Sequence, residues 1–211
     1  MLKLENVSKT FESETRKKMV LDQINITLKQ GELISIYGSA GCGKSTLLNI
    51  IYGLYKPDQG RVLFMNEDIE KMSSERLLQY KRQDVNYIMQ GYSLLNNLSV
   101  KQNMTLLRKA NLDIDNRLEG CMEDFGLGDF LDAYPINLSG GQAKMVAITR
   151  GIINPSKIIV ADEPTAHLDR KNAKRVVNQL RKEVDKGRSV NISSHDQMVL
   201  DQSDRNYLLE N

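Results

Sequence analysis

Apolar and polar residues alternate along three stretches in the first third of the chain. The stretches LKLENVSKTF and VLDQINITL have this period of two, and residues 61–69, RVLFMNEDI, continue it. Successive side chains of a β-strand point to opposite faces, so this alternation predicts strands with one buried face. We therefore expect an antiparallel sheet near the N-terminus.

Three further runs are almost continuously apolar, as is typical of strands that are buried on both faces. They are ELISIYG, which ends at Gly38, KIIVADE and SVNISSH. Apolar residues at helical spacing follow the first run and also separate the other two: Leu47, Leu48, Ile51 and Leu54, then Val176, Val177, Leu180 and Val184. This succession of strands and helices predicts an α/β fold with a mainly parallel sheet.

The middle of the chain has a different pattern. Residues 91–153 lack strand alternation and contain helix-like stretches such as KQNMTLLRKA and LEGCMEDFGL. We interpret residues 1–211 as a single domain, in keeping with usual domain sizes. In this interpretation residues 1–90 and 154–211 form a core with its β subdomain, and residues 91–153 form a helical subdomain.

Composition and charge exclude several classes of protein. A hydrophobic fraction of 40%, a charged fraction of 27% and only 4 prolines exclude disordered and collagen-like chains. The net charge of +2 does not by itself indicate a nucleic-acid or membrane-surface partner. No run approaches the length of a membrane span, which needs about 18 consecutive apolar residues. The N-terminal sequence is unlike a secretory signal. We therefore expect a soluble cytoplasmic protein. The two cysteines, Cys42 and Cys121, do not have the spacing of a zinc site.

The segment GSAGCGKS lies between a predicted buried strand and a predicted helix, and its two outer glycines are followed by Lys and Ser. Glycines let several backbone N–H groups point at one phosphate chain, and the helix N-terminus adds donors and partial positive charge. A plain glycine-rich turn is the alternative. The phosphate-binding interpretation assigns nucleotide contacts to Gly38, Ser39, Ala40, Gly41, Cys42, Gly43, Lys44, Ser45 and Thr46.

The side chains of this loop have distinct expected roles. Lys44 reaches the β- and γ-phosphates as a point charge, and the Ser45 hydroxyl enters the shell of a magnesium ion. Thr46 assists at the phosphates. Cys42 has two interpretations, as a small residue inside the loop or as a thiol exposed to alkylation.

The run KIIVADEP places Asp162 and Glu163 at the end of a hydrophobic strand, and Pro164 then ends that strand. A carboxylate there emerges beside the phosphate loop. Asp162 is suited to hold magnesium through water, and Glu163 to orient, or accept a proton from, the water that attacks the γ-phosphate. An ordinary turn rich in acidic residues is the alternative.

The pentapeptide LSGGQ, residues 138–142, immediately precedes the predicted helix AKMVAITRGII. Taken alone, it is either a helix cap or a second N-terminus able to bind an anion. Together with the other motifs it resembles the signature of the ATP-binding cassette (ABC) family, and the resemblance spans essentially the whole chain. It implies the ABC ATPase fold: a P-loop NTPase core, an antiparallel β subdomain and a helical signature subdomain. It also implies that the ATP of a second subunit is contacted by Ser139, Gly140, Gly141 and Gln142.

The resemblance assigns further roles. Phe11 is the aromatic that stacks on adenine, with an ordinary core aromatic as the alternative. Gln90 reaches the metal and the attacking water, His195 hydrogen-bonds the γ-phosphate, and Asp169 lies in the loop between paired sites. The implied catalytic residues are Glu163, His195, Gln90 and Lys44, and the implied metal ligands are Ser45, Gln90 and Asp162.

The sequence departs from the family pattern in two places. Ala143, Lys144 and Met145 follow LSGGQ where the family usually carries polar residues and an Arg. Ala166 and His167 occupy the usual small or polar pair before the aspartate of the loop between sites. We treat His167 as a loop residue and do not combine it with the second histidine of the chain in a metal site.

Residues 170–188 contain eight basic and two acidic residues. Such a cluster is found on nucleic-acid-binding surfaces and on solvated helix faces, and we favour the solvated face. We expect no nucleic-acid partner.

The resemblance implies ATP and Mg²⁺ as cofactors, and two cassettes that meet head to tail around ATP. It also implies an integral membrane permease on a separate chain, which holds this subunit at the inner face of the cell membrane. The run SLLNNLSVKQNM and the segment ADEPTAHLD are most similar to the branch of lipoprotein-release, macrolide-export and antimicrobial-peptide export systems. The alternatives are a soluble ABC ATPase acting on ribosomes or DNA, and an ATP-dependent binding switch with low turnover.

Overall fold

The computed structural model describes residues 1–13, 16–91, 93–106 and 114–210. The strands are β1 (Leu2–Ser13), β2 (Arg16–Leu28), β3 (Leu33–Tyr37), β4 (Gln59–Phe64), β5 (Glu67–Asp68), β6 (Val85–Ile88), β7 (Ile158–Asp162), β8 (Ser189–Ser193) and β9 (Arg205–Leu208). The helices are α1 (Lys44–Ile51), α2 (Ser74–Gln79), α3 (Val100–Thr105), α4 (Ile114–Phe125), α5 (Gly140–Ile153), α6 (Arg170–Asp185) and α7 (Gln197–Gln202). These elements form the predicted α/β fold with a parallel sheet and an antiparallel sheet.

The antiparallel sheet has the strand order β2-β1-β4-β5, which confirms the expectation for the N-terminal region. Residues 61–69, however, are not one continuous strand. Met65 and Asn66 have φ angles of 50° and 69°, and this turn separates β4 from β5. The two strands then pair as a short hairpin, with Phe64 opposite Glu67.

The parallel sheet has the order β6-β7-β8-β3-β9, and every pair of neighbours in it is parallel. Its three central strands, β7, β8 and β3, are those predicted from the apolar runs. The two edge strands were missed, since each has only four residues and neither is a continuous apolar run. Parallel pairing brings the carboxyl ends of β6, β7, β8 and β3 to one edge of the sheet.

Helix α1 follows the phosphate loop, as predicted, but ends earlier than the apolar spacing indicated. It ends at Ile51, and Gly53 takes a φ of 73°, which turns the chain away from the helix. Leu54 therefore lies outside the helix and is 48% exposed. The spacing predicted the helix correctly and its length incorrectly.

Apolar side chains form two clusters. One lies between α1, the antiparallel sheet and the parallel sheet. The other joins the parallel sheet to α3, α4, α5 and α6, and it includes the predicted helical set Val176, Val177, Leu180 and Val184. The stretch KQNMTLLRKA is helical over its first residues in α3, and its residues 107–110 lie outside the described part of the chain.

The C-terminal end of α5 is fixed by a buried ionic network. Arg117 and Arg188 both donate to the carbonyl oxygen of Ile152, at 2.9 and 2.8 Å, and both also contact Glu183. Burial opposes the charge on Glu183, but hydrogen bonds from Lys186 and Arg188 hold its pKa below the usual value. Because these contacts satisfy carbonyls that a helix leaves unpaired at its end, they fix the position of α5 against the sheet.

Tyr80→Phe tests how the far end of α1 is held. Tyr80 is fully buried and its hydroxyl donates to the carbonyl oxygen of Ile51 at 2.6 Å. Removal of this donor leaves a buried carbonyl unpaired, so we expect the free energy of unfolding in urea to fall by about 1–2 kcal/mol. Tyr134→Phe, at an exposed ring, is the control and is expected to change it by less than about 0.5 kcal/mol. Equal values for the two variants would contradict the role of this hydrogen bond.

Candidate functional site

A cavity of about 860 Å³ lies at the edge of the parallel sheet where the four carboxyl ends meet. It collects residues from loops that are far apart in sequence. The described residues that line it are Phe11, Val20, Gly38, Ser39, Ala40, Gly41, Gly43, Lys44, Ser45, Thr46, Gln90, Glu163, Ala166, His167 and His195. Most of the residues predicted from the phosphate loop and the two strand ends therefore share one cavity.

The phosphate loop is packed so closely that two of its positions accept only glycine. A Cβ on Gly43 would lie 2.8 Å from both the carbonyl oxygen and Cγ1 of Val20, and Gly43 has a φ of 103°. A Cβ on Gly38 would lie 2.3 Å from the carbonyl oxygen of Leu209. Gly43 is the N-cap of α1 and has no side chain to cap the helix, so no N-cap side chain occupies the first-turn N–H groups of α1.

Two residues of this segment, Lys44 and Cys42, are buried. The ammonium of Lys44 donates to the carbonyl oxygens of Gly38 and Ser39, at 2.9 and 3.1 Å, and lies 4.0 Å from Oε1 of Glu163. Cys42 is only 2% exposed, with its Sγ 3.9 Å from the Lys44 ammonium. The burial of Cys42 argues against the exposed-thiol interpretation and favours that of a small residue inside the loop.

The two adjacent acids after β7 have different surroundings. Asp162 is buried and accepts a hydrogen bond from the Ser193 hydroxyl at 2.5 Å. Glu163 lines the cavity, and its Oε1 lies 3.0 Å from Nδ1 of His195. The backbone N–H of Glu163 donates to two oxygen atoms of Ser193. The carbonyl oxygen lies 3.1 Å away and the hydroxyl oxygen 3.0 Å away. Sequence reasoning missed Ser193, although its place at the end of SVNIS puts it beside β7 in a parallel sheet.

Glu163 has an unusual backbone. Its φ is 46°, in the left-handed region that residues other than glycine rarely adopt. Its carbonyl oxygen accepts a hydrogen bond of 2.9 Å from the ammonium of Lys144 in α5. The same ammonium donates to the carbonyl oxygen of Gln90 at 3.2 Å. Burial lowers the pKa of Lys144, and the nearby carboxylates of Asp162 and Glu163 oppose that effect.

Phe11 lies in β1 at the side of the cavity and is 40% exposed, so it is not a core residue. Its ring contacts that of Tyr55 edge to face, with the ring centroids 5.7 Å apart. The Lys9 ammonium lies 5.7 Å from the centroid of Phe11. Sequence reasoning missed Tyr55, because it follows α1 without any periodic signal. The exposed face of Phe11 leaves a flat apolar surface at the cavity rim, which suits a stacked base.

The residues of LSGGQ are not part of this cavity. Ser139 is the exposed N-cap of α5: its hydroxyl accepts from the N–H of Gln142 at 3.2 Å, and the Gln142 side chain accepts from the Ser139 N–H at 2.8 Å. Ser139 therefore caps the helix, and these hydrogen bonds do not test whether the helix N-terminus also binds an anion. Among the described residues, the cavity lining includes none of the four residues Ser139, Gly140, Gly141 and Gln142.

Asp169 and His167 lie in the loop between β7 and α6. Asp169 is the N-cap of α6 and accepts from the N–H of Asn172 at 2.9 Å, a hydrogen bond that lowers the pKa of Asp169. His167 has a φ of 63° and lines the cavity, as His195 does. The loop position of His167 agrees with the sequence interpretation, whereas its place in the cavity lining was not predicted.

Basic residues in and near α6 are engaged in ion pairs. Lys182 contacts Asp124 at 2.7 Å, and Arg181 contacts Asp204 at 2.9 Å. These pairs are consistent with a solvated helix face. Within the described ranges, no three His, Cys, Asp or Glu side chains form a group that would hold a metal ion. In the same part of the chain, every helix is too short or too polar to cross a bilayer.

Comparison with known proteins gives a consistent result. Residues 21–166 match the family described as ABC transporter. The chain is 36% identical over 209 residues to the macrolide export ATP-binding/permease protein MacB 2 of Yersinia pestis bv. Antiqua, covering 97% of this chain but only 31% of that protein. It is 32% identical to the lipoprotein-releasing system ATP-binding protein LolD of Treponema denticola, covering 98% of this chain and 93% of that one.

The fold has a close match among solved structures. An ATP-binding cassette, solved as a dimer in a post-hydrolysis state with ADP and phosphate, superposes with a TM-score of 0.90. The two sequences are 33% identical, and the match covers 100% of this chain and 94% of the other.

Gly43→Ala tests the packing of the phosphate loop. A methyl group there meets Val20 in β2, so the loop has to move and its N–H groups lose their common direction. We expect the affinity for a fluorescent nucleoside triphosphate to fall by at least about tenfold. Gly187→Ala is the control, because Gly187 also has a positive φ, of 90°, but its added Cβ meets nothing within 4 Å. Equal affinities of the two variants would show that the contact with β2 does not shape the loop.

Proposed function

We propose that this chain, which belongs to the ABC transporter family, binds and hydrolyses ATP as the cassette subunit of a transporter. One observation carries the proposal. Oε1 of Glu163 lies 3.0 Å from Nδ1 of His195 and 4.0 Å from the ammonium of Lys44, in a cavity that the phosphate loop also lines. A general base, a hydrogen-bonding histidine and a phosphate-binding cation thus come together where the γ-phosphate of a nucleotide would lie.

The nucleotide is bound from two sides of the cavity in this proposal. The N–H groups of the phosphate loop and the ammonium of Lys44 hold the phosphates, and the Ser45 and Thr46 hydroxyls lie beside them. Phe11, with Tyr55 against its edge, offers its exposed face to the adenine ring.

Two residues that line the cavity, Ser45 and Gln90, and the buried Asp162 beside Glu163 suit a magnesium ion that enters with the nucleotide. The hydroxyl of Ser45, the amide oxygen of Gln90 and the carboxylate of Asp162 are hard oxygen donors, the kind that Mg²⁺ prefers. Asp162 is kept in place by the Ser193 hydroxyl, which occupies one of its two carboxylate oxygens. A bound ion would neutralise phosphate charge.

Glu163 is the residue proposed to act on water. Its carboxylate orients the attacking water and accepts its proton as the bond from water oxygen to the γ-phosphorus forms and the bond to the ADP oxygen breaks. His195 hydrogen-bonds the γ-phosphate beside it. Because Ser193 holds the N–H of Glu163 and Lys144 holds its carbonyl, the carboxylate starts from a fixed backbone.

A second cassette completes the site. LSGGQ lies outside the cavity of its own chain, at an exposed helix N-terminus, and such an end suits an anion brought by another molecule. We infer that two chains pack head to tail, with each ATP between the phosphate loop of one and LSGGQ of the other. The similar cassette that was solved as a dimer with ADP and phosphate supports this arrangement.

A membrane permease is the proposed second partner. The name of the similar Yersinia protein joins an ATP-binding part to a permease, and this chain spans about a third of that protein. The similar Treponema protein is named as the ATP-binding protein of a lipoprotein-releasing system. We therefore place the chain at the inner face of the membrane, bound to a permease that handles a lipophilic, peptide or lipoprotein substrate.

Glu163→Gln tests the proposed base. The variant retains the shape of the side chain but no longer accepts a proton, so we expect phosphate release by the complex with its permease to fall by about a hundredfold or more, with ATP still bound. A dimer should accumulate with ATP, which size-exclusion chromatography detects. Glu123→Gln, on the exposed side of α4, is the control and should keep the wild-type rate. Unchanged turnover in Glu163→Gln would remove the residue from this role.

Ser139→Arg tests the head-to-tail arrangement in dimers built from two tagged copies. If both changes, Ser139→Arg and Glu163→Gln, are in one copy, each composite site loses one component and phosphate release should stop. If the two changes are divided between the copies, one composite site stays intact and about half of the activity should remain. The opposite order of activities would contradict the arrangement.

A control separates the helix cap from the interface. Ser99 caps α3 with the same reciprocal hydrogen bonds to Gln102 that Ser139 makes to Gln142. Ser99→Arg therefore loses a cap of the same kind without affecting LSGGQ. Dimers that combine Ser99→Arg with Glu163→Gln should therefore have equal activity whether the two changes are in one copy or divided between the copies.

A further inference from the structure

Lys144 occupies an unusual place for a lysine. The residue is only 4% exposed, although lysine usually keeps its ammonium in water. Both of its recorded hydrogen bonds go to backbone carbonyl oxygens, those of Gln90 at 3.2 Å and Glu163 at 2.9 Å. These carbonyls belong to different loops, one after β6 and one after β7. A single ammonium thus joins the first turns of α5 to the two loops that carry the water-handling side chains.

The carbonyl of Glu163 is a position where such a contact matters. The left-handed backbone of Glu163 costs on the order of 1 kcal/mol and persists only where neighbouring groups impose it. Ser193 holds the N–H side of the residue, and Lys144 holds the carbonyl side together with the backbone N–H of Ala166. Together they define the direction in which the Glu163 side chain leaves the backbone.

Gln90 depends on the same contact for a different reason. It follows β6, which is an edge strand of the parallel sheet and pairs only with β7 among the described strands. Its side chain is exposed and lines the cavity. The hydrogen bond from Lys144 to the carbonyl of Gln90 therefore fixes a residue whose own strand gives it support from one side only.

We propose that Lys144 is a positioning residue for ATP hydrolysis, which holds the backbones of Gln90 and Glu163 in register with each other and with the helix that begins at LSGGQ. This proposal rests on the function proposed above. Lys144 does not line the cavity and is not expected to contact the nucleotide. Since α5 is also held at its other end by Arg117 and Arg188, Lys144 connects a fixed helix to both loops.

The chemistry of the contact favours a donor over an apolar side chain. An ammonium has three N–H donors and no acceptor, so it bonds two carbonyl oxygens at once. Burial of a charge is unfavourable, and an apolar residue would fill the same space without that cost. The carboxylates of Asp162 and Glu163 favour the charged form and offset part of it. The presence of a cation here is thus explained by the two carbonyls rather than by packing.

The decisive comparison is between Lys144→Met and Lys144→Gln in the complex with the permease. Met and Gln are nearly equal in length and volume, but only Gln offers N–H donors to the carbonyls. We expect Lys144→Met to lower kcat by about tenfold to a hundredfold, since small displacements of reacting groups have effects of that size. KM and the affinity for a fluorescent ATP analogue should stay within about threefold, because the nucleotide contacts are unchanged. Lys144→Gln should recover a large part of the lost kcat.

Met145→Leu is the matched control for disturbance of α5. Met145 is buried in the same helical turn, and a change of similar volume there should leave kcat at the wild-type value. If Lys144→Met does not fold, Lys144→Leu is the second variant without donors, because Leu and Gln are also similar in volume.

Three outcomes would overturn the role of Lys144 while leaving the proposed function intact: a wild-type kcat in the donor-free variants, a Gln variant no faster than the Met variant, or parallel losses in kcat and nucleotide affinity. A wild-type complex that binds ATP but releases no phosphate would instead reject the proposed function, and this role with it.

Discussion

The carboxyl ends of β6, β7, β8 and β3 meet at one edge because all four strands run parallel. Gln90, Glu163, His195 and the phosphate loop each follow one of these strands, so residues separated by more than a hundred positions share a cavity. The register of the parallel strands also fixes how far along the sheet each strand ends: Ile36 lies opposite Ser193, and Ser193 lies opposite Asp162. The site is thus a consequence of strand register, and any slip of one strand would separate the residues that act together.

Unusual backbone conformations also occur at this edge. Glu163 adopts a left-handed conformation, and Gly38 and Gly43 lie where a side chain would collide with neighbouring backbone. At a residue other than glycine, such as Glu163, the left-handed conformation costs on the order of 1 kcal/mol and needs neighbouring groups to maintain it. Here the neighbours are polar: the hydroxyl of Ser193 and the ammonium of Lys144. The hydrogen bonds around Glu163 therefore hold in place a geometry that the local sequence alone does not favour.

Local signals were enough to predict the central strands, the helix after the phosphate loop and most of the cavity lining. The glycine pattern and the acidic strand end are contiguous in sequence, and their chemistry follows from the residue types. The edge strands and Tyr55 were not predictable in the same way, because short elements and tertiary contacts leave little periodicity. Ser193 and Lys144 both form hydrogen bonds with Glu163, which is 30 and 19 positions away in sequence, respectively. Only the fold therefore shows these contacts. For Lys144, a departure from the family pattern was the sole indication in the sequence.

If the proposed function holds, charge is one reason why the site of a single chain would be incomplete. Among the described residues that line the cavity, Lys44 is the one lysine or arginine, and the carboxylate of Glu163 lies 4.0 Å from its ammonium. A triphosphate placed there brings several negative charges against a single cation, and proteins balance such charge with metal ions, helix N-termini or further basic groups. The exposed N-terminus of α5 is a donor group of this kind that its own cavity does not use. Binding of the nucleotide would therefore favour association with the α5 end of a second chain, and loss of the γ-phosphate would weaken it.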